Sequence, residues 1–126
     1  MTPAKRFEDV IAWQKARALA GAIYRATAKG SFAKDFGLRD QIQRASVSVM
    51  ANIAEGFERR QAGEYAHFLN IAKASCAEVQ SHLYLAGDIG HVDHAACNEL
   101  LAQAQEVSRI VGALRAAVVA ARNAKP

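Results

Sequence analysis

Proline occurs only at Pro3 and Pro126, so nothing between them lacks a backbone donor or obliges a helix to break. Alanine, the strongest helix former, supplies roughly a fifth of the 126 residues, and aromatic residues are only 7%. A chain this free of breakers is expected to be helical wherever an apolar stripe gives a helix something to pack against. Four such stripes occur. In the last segment Cys97, Leu100, Ala104, Val107, Val111, Leu114, Val118 and Ala121 follow at alternating steps of three and four, a heptad seam. Tyr65, Leu69, Ala72, Cys76, Val79, Leu83 and Ala86 repeat the rule, widened by Phe68. Leu38, Ile42, Ala45, Val49, Asn52 and Gly56 keep the same schedule with Ile53 beside them, and Ala12, Ala16, Leu19, Ile23 and Ala26 open the series, flanked by Trp13, Ala20 and Tyr24. Alternation of period two is absent, which leaves a sheet without support.

Glycine-bearing stretches divide the stripes: Gly30-Ser31 with Asp35-Phe36-Gly37, then Gly56 with Gly63, then Gly87 with Gly90. The expected helices run from about 8–29, 37–60, 63–88 and 93–122, with Asp93 as N-cap of the fourth and Gly90 as C-terminal cap of the third. At about 22 to 30 residues each they would be matched rods of roughly 33 to 45 Å. Equal rods joined by short links predict an all-α, antiparallel up-down-up-down four-helix bundle, a single domain over residues 1–126. The stripes are wide, Ile11, Trp13, Leu19, Ile23 and Tyr24 covering more than one face of the first helix, which suits burial against further copies of the chain.

Composition excludes several classes. An apolar fraction of 52% argues against disorder, and no charge-free stretch approaches the ~18 residues of a membrane span. Glu8 and Asp9 interrupt the start before an apolar run develops, so the expectation is a cytoplasmic protein without a cleaved leader. Two cysteines, Cys76 and Cys97, are too few for a disulfide framework and are read as reduced core thiols.

Neither a catalytic nor a metal constellation stands out. A di-iron bundle needs two inward Glu-x-x-His motifs, and only Glu64-Tyr65-Ala66-His67 occurs, at a helix start where a first-turn Glu suits the helix dipole. His91, His94 and Cys97 have zinc-like spacing without a fourth ligand nearby, and are read as two solvated histidines beside a core cysteine. Glu78 and His82, four apart, make a helix-surface pair. There is no glycine-rich phosphate loop and no nucleophile elbow. The chain is therefore expected to be no enzyme, with no cofactor and no metal.

Polar residues are more informative. Arg44, Ser48, Asn52, Glu55 and Arg59 form a stripe along the second helix, and Asn52 also falls on the apolar schedule, so its amide should find a partner in Arg44, Ser48 or Glu55. Arg44, Ser48, Asn52 and Glu55 are read as structural or interface residues, with recognition as the alternative. The formal charge is +4, and the basic groups are unevenly spread. In an up-down-up-down bundle Lys5, Arg6, Arg59, Arg60, Arg115, Arg122 and Lys125 gather at one end, offset in part by Glu8, Asp9, Glu55, Glu58 and Glu64. Some of these complement helix C-termini. The remainder is the footprint of a polyanion site, and with only Phe7 and Phe57 near to stack on bases, contacts should go to backbone and shape.

One run is distinctive: Gln41-Ile42-Gln43-Arg44-Ala45-Ser46-Val47-Ser48-Val49-Met50-Ala51-Asn52-Ile53-Ala54-Glu55-Gly56, followed by Arg60, Tyr65, Phe68-Leu69 and Ile71-Ala72. Together with Phe7-Glu8-Asp9-Val10, Trp13-Gln14-Lys15-Ala16, Ile23-Tyr24 and Phe36-Gly37-Leu38 it resembles the four-helix bundle proteins named for the 23S rRNA intervening sequence. The likeness runs from about Phe7 past Leu85. It implies a ring-like homopentamer, related to the accessory protein of diversity-generating retroelements, whose basic surfaces bind nucleic acid and a reverse transcriptase. Ala33 stands where the family usually has Pro, and Gln61-Ala62 where it has Ser-Pro, which changes two helix-end signals. The resemblance carries no catalytic assignment. The expected role is a homo-oligomer binding structured RNA or DNA through a basic surface without strong sequence specificity, or alternatively an oligomeric scaffold with protein partners only.

Overall fold

The computed structural model describes residues 3–124 of the chain. A single 3-10 turn, Phe7–Asp9, precedes five helices: α1 (Ile11–Thr27), α2 (Gly30–Lys34), α3 (Phe36–Arg59), α4 (Ala62–Asp88) and α5 (His94–Ala124). The fold is all-α, with four long helices, one short one and no strand among the described residues. The long helices form a closed ring of neighbours in the order α1, α3, α4, α5 and back to α1.

The heptad stripes line the space they enclose. Leu19, Ile23, Ile42, Val49, Ile53, Leu69, Val79, Leu83, Val107 and Val111 have no exposed surface, and buried alanines between them (Ala16, Ala72, Ala86, Ala104) keep the helices close. The core thins toward the end of α5, where Leu114 and Val118 are half-buried and Ala121 is exposed. The cause is unequal length: α5 has 31 residues and α1 only 17, so the expectation of matched rods does not hold.

The first helix, expected over about 8–29, is shorter at both ends, although its apolar stripe is where it was read. Phe7 turns back to meet the Trp13 ring edge-on, 5.1 Å between centroids, and Val10 is extended to enter the core. The link after α1, expected to be an open loop, instead winds into α2, because Phe32 is wholly buried and draws the segment inward. Thr27, also wholly buried, returns its hydroxyl to the Ile23 carbonyl at 2.9 Å and accepts a hydrogen bond from Gln43 of α3.

Glycines expected to break helices do so at only two places. Gly30 and Gly90 take positive φ, and Gly90 sits in a Schellman turn in which the His91 amide donates to Ala86 and the Gly90 amide to Gly87. Gly56, Gly63 and Gly87 are inside helices, where the absence of a side chain admits a neighbour. A Cβ on Gly56 would lie 2.8 Å from the Cβ of Phe68, and one on Gly87 2.9 Å from the Cys97 sulfur. The chain turns between α3 and α4 at Arg60, whose φ is 64°, a left-handed conformation that costs a non-glycine residue about 1–2 kcal/mol.

Candidate nucleic-acid interface

Arg60 stops α3, and this fixes what stands around it. Its left-handed backbone swings the chain into Gln61 and so into the first turn of α4, where Ala62 and Gly63 meet Arg122 from the last turns of α5. The five residues line an open cleft of about 390 Å³, with two guanidinium groups and no carboxylate among them. A Cβ on Gly63 would lie 3.2 Å from Arg122 Nη1, so the guanidinium rests on bare helix. An adjoining cleft of about 380 Å³ reaches from Arg60 to Ala4, Phe57, Tyr65, Val118 and Ala121.

The other cations expected here divide by their partners. Arg6 is hydrogen-bonded to Glu8. Arg59 donates to Glu55 at 2.8 Å, lies 3.9 Å from Glu64, and stands over the Phe68 ring. These hydrogen bonds raise both guanidinium groups above their ordinary range, so the pairs are mutually neutralising. Lys5 is exposed. Arg115 is half-buried, and its Nε is enclosed without a hydrogen-bond partner. Lys125 lies outside the described residues. The geometry therefore brings Arg60 and Arg122 to one cleft and pairs Arg6 and Arg59 with acids at the surface.

The polar stripe of α3 also divides. Ser48 Oγ meets Ser75 Oγ of α4 at 2.9 Å, and the Asn52 amide donates to the Ser48 carbonyl at 2.8 Å and to its hydroxyl at 3.0 Å. This is a polar rung across α3 and α4. Glu55 belongs with Arg59, and Arg44 is exposed with no side-chain hydrogen bond among the described residues.

A constellation with no local sequence signal lies at the opposite end. His91, delivered by the turn after α4, is hydrogen-bonded through Nδ1 to the Ser31 hydroxyl at 2.7 Å and through Nε2 to Asp35 at 2.9 Å, and its ring stacks on Phe32. The expected solvated histidine is in fact 10% exposed. Asp35 also caps α3, accepting from the Leu38 amide at 3.1 Å. The His91 hydrogen bond, with that amide, holds the carboxyl below its ordinary value. Serine, histidine and aspartate are the residue types of a nucleophilic triad, but each here ties one loop to another: the α2 segment, the start of α3 and the α4–α5 turn.

The zinc-like trio does not converge. His91 serves this clamp, His94 lies 3.1 Å from Asn98, and the Cys97 thiol donates to Leu83. Among the described residues no three His, Cys, Asp or Glu side chains are grouped to hold a metal ion. Both thiols are buried, and desolvation pushes their pKa values up, which keeps them protonated and unreactive. No helix among the described residues is long and apolar enough to cross a membrane.

The family model described as 23S rRNA-intervening sequence protein matches residues 8–113. A similar solved structure is a protein of unknown function from the S23 ribosomal protein family of Bacteroides thetaiotaomicron. It is 20% identical, with a TM-score of 0.76, and the match covers 83% of this chain and 98% of that one. At that identity the likeness is one of fold. Comparison with curated proteins finds no match.

Proposed function

The chain belongs to the 23S rRNA-intervening sequence protein family, and from that premise we propose that it is a non-catalytic, homo-oligomeric, up-down-up-down bundle that binds structured nucleic acid in the cytoplasm. Antiparallel packing is supported by the residue pairs that meet. Between α3 and α4, Gly56 faces Tyr65 and Phe68 while Ser48 faces Ser75; between α4 and α5, Gly63 faces Arg122 while Gly87 faces Cys97. As one number rises its partner's falls.

The single observation that carries the binding role is the cleft where Arg60 and Arg122 converge without a carboxylate. Two cations held together repel unless an anion joins them, and Arg60 keeps its place at the expense of a left-handed backbone. The ligand that fits is a phosphodiester backbone, recognised by charge and shape. Because the family description names 23S rRNA, a structured RNA is the first ligand to try. Self-association is supported by Ile11, Tyr84, Leu85 and Ile89, large apolar side chains each about half exposed. A pentamer is the state the resemblance implies, and a reverse transcriptase the protein partner to try if the gene adjoins a retroelement.

Anisotropy of a labelled RNA hairpin and a DNA duplex at about 50 and 200 mM salt tests the role. Six to ten phosphate contacts on the assembled particle cost ~10³–10⁵ in affinity over that range. A steep fall is expected. No binding at low salt would overturn it in favour of an oligomeric scaffold whose partners are proteins.

A further inference from the structure

Resting on the nucleic-acid reading above, we propose that the phosphate path runs down the flank of the bundle along the α4/α5 seam, from Arg122 past Arg115 to Lys73. Lys73 is exposed on α4, and a Cβ placed on Gly112 of α5 would lie 3.1 Å from its Nζ. Arg122 lies in the same way over Gly63 of α4. Two glycines on facing helices thus leave bare backbone beneath two cations, so the seam is shallow and its charges lie along it. Arg115, between them on α5, has its Nε enclosed and unpartnered.

The acids nearest this stretch of the seam are engaged elsewhere, and Asp88 lies beyond it, at the far end of the seam beside Cys97. Glu64 of α4 turns to Arg59 of α3, Glu78 lies beside His82, and Glu106 of α5 turns to Lys15 of α1. Among the described residues Lys73, Arg115 and Arg122 make no ion pair, a state they share with Lys5, Arg17, Arg25, Lys29, Lys34, Arg44, Arg60 and Arg109; what sets them apart is that they follow one seam. Measured along α5, Gly112, Arg115 and Arg122 span ten residues, about 15 Å at the helical rise. One strand of a duplex presents a charge about every 3.4 Å of its axis, so cations spread over about 15 Å can meet phosphates of that strand without bending the ligand.

The test is the salt slope of binding to a fluorescein-labelled DNA duplex, with particle size followed by light scattering. Lys73→Gln is expected to lower the slope of log affinity against log salt by about 0.9 for each protomer in contact. Lys15→Gln, whose ammonium is 3.4 Å from Glu106 at another seam, is expected to leave it unchanged. If Lys73→Gln leaves the slope unchanged while Arg60→Gly lowers it, the flank path is overturned and the cleft stands. Equal losses in Lys15→Gln and Lys73→Gln would reduce the effect to net charge and also overturn the path. If the unaltered protein binds neither this duplex nor a labelled RNA hairpin, the nucleic-acid reading itself is overturned.

Discussion

At one end of the bundle Ser31, His91 and Asp35 satisfy one another across three loops; at the other, Arg60 and Arg122 share a cleft that contains no acid. Both ends are polar and both join distant segments. The first is closed: the imidazole has a partner on each nitrogen and an aromatic ring beneath it, so it needs nothing from solution. The second is open: two exposed guanidinium groups face solution with no acid lining the cleft between them. A polar group that is satisfied in place reads as structure, and one held unsatisfied reads as a place for a ligand.

The contrast breaks hardest at the open end. Arg60→Glu together with Arg122→Glu changes two exposed side chains and should weaken binding by about a hundredfold at low salt, roughly tenfold for each reversed charge. The melting temperature should barely move. Anisotropy beside a thermal melt checks both, and retained affinity would remove the cleft from the site.

The two ends also differ in what holds them together. The open end depends on backbone approach, with Gly56 against the Cβ of Phe68 and the Tyr65 ring. Gly56→Ala inserts a methyl group where none fits, costing about 1–3 kcal/mol, less the ~1 kcal/mol that alanine returns as a helix former. A net loss of up to about 2 kcal/mol in urea unfolding is expected. An alanine that stabilises would mean that α3 and α4 can part there freely.

The closed end should respond to acid. Asp35 has its carboxyl lowered on folding, first by the His91 hydrogen bond and then by the Leu38 amide. Such a group contributes stability that is complete above the unfolded pKa, near 3.9, and is lost as pH falls through the folded value. Melting temperature should therefore drop more steeply below about pH 4 in the natural protein than in Asp35→Asn. Parallel acid limbs would show that the clamp contributes nothing.

How far each end was legible in the sequence follows from the range of its contacts. The heptad stripes are local, so the long helices and most of their buried positions could be read directly. Gly56, Gly63 and Gly87 misled because a glycine that ends a helix and one that admits a neighbour look alike until the neighbour is known. Phe32 gave no periodic signal in five residues, so α2 was expected as loop. Ser31 and Asp35 are 60 and 56 residues from His91, and nothing local links them. The cations were visible, but their standing depended on partners: Arg6 and Arg59 lost theirs to acids. Lys73 is the lone Lys or Arg between Gly63 and Val92, where Glu64, Glu78 and Asp88 outnumber it, and only the packing of α5 against α4 places it over Gly112.

Arg60→Gly is the smallest change and the most discriminating one. At φ 64° glycine relieves the left-handed penalty, while its greater freedom in the unfolded chain takes part of that back. The net is a gain of a few tenths to about 1 kcal/mol. The same substitution removes one of the two guanidinium groups lining the cleft, so affinity should fall and the salt slope should drop by about 0.9 per protomer in contact. Most substitutions that weaken binding also weaken the fold, which leaves the cause ambiguous; here the two must move in opposite directions. Urea unfolding and anisotropy on one preparation read both. A more stable protein that binds as before would mean that Arg60 serves the turn alone and that the open end draws its ligand by other charges.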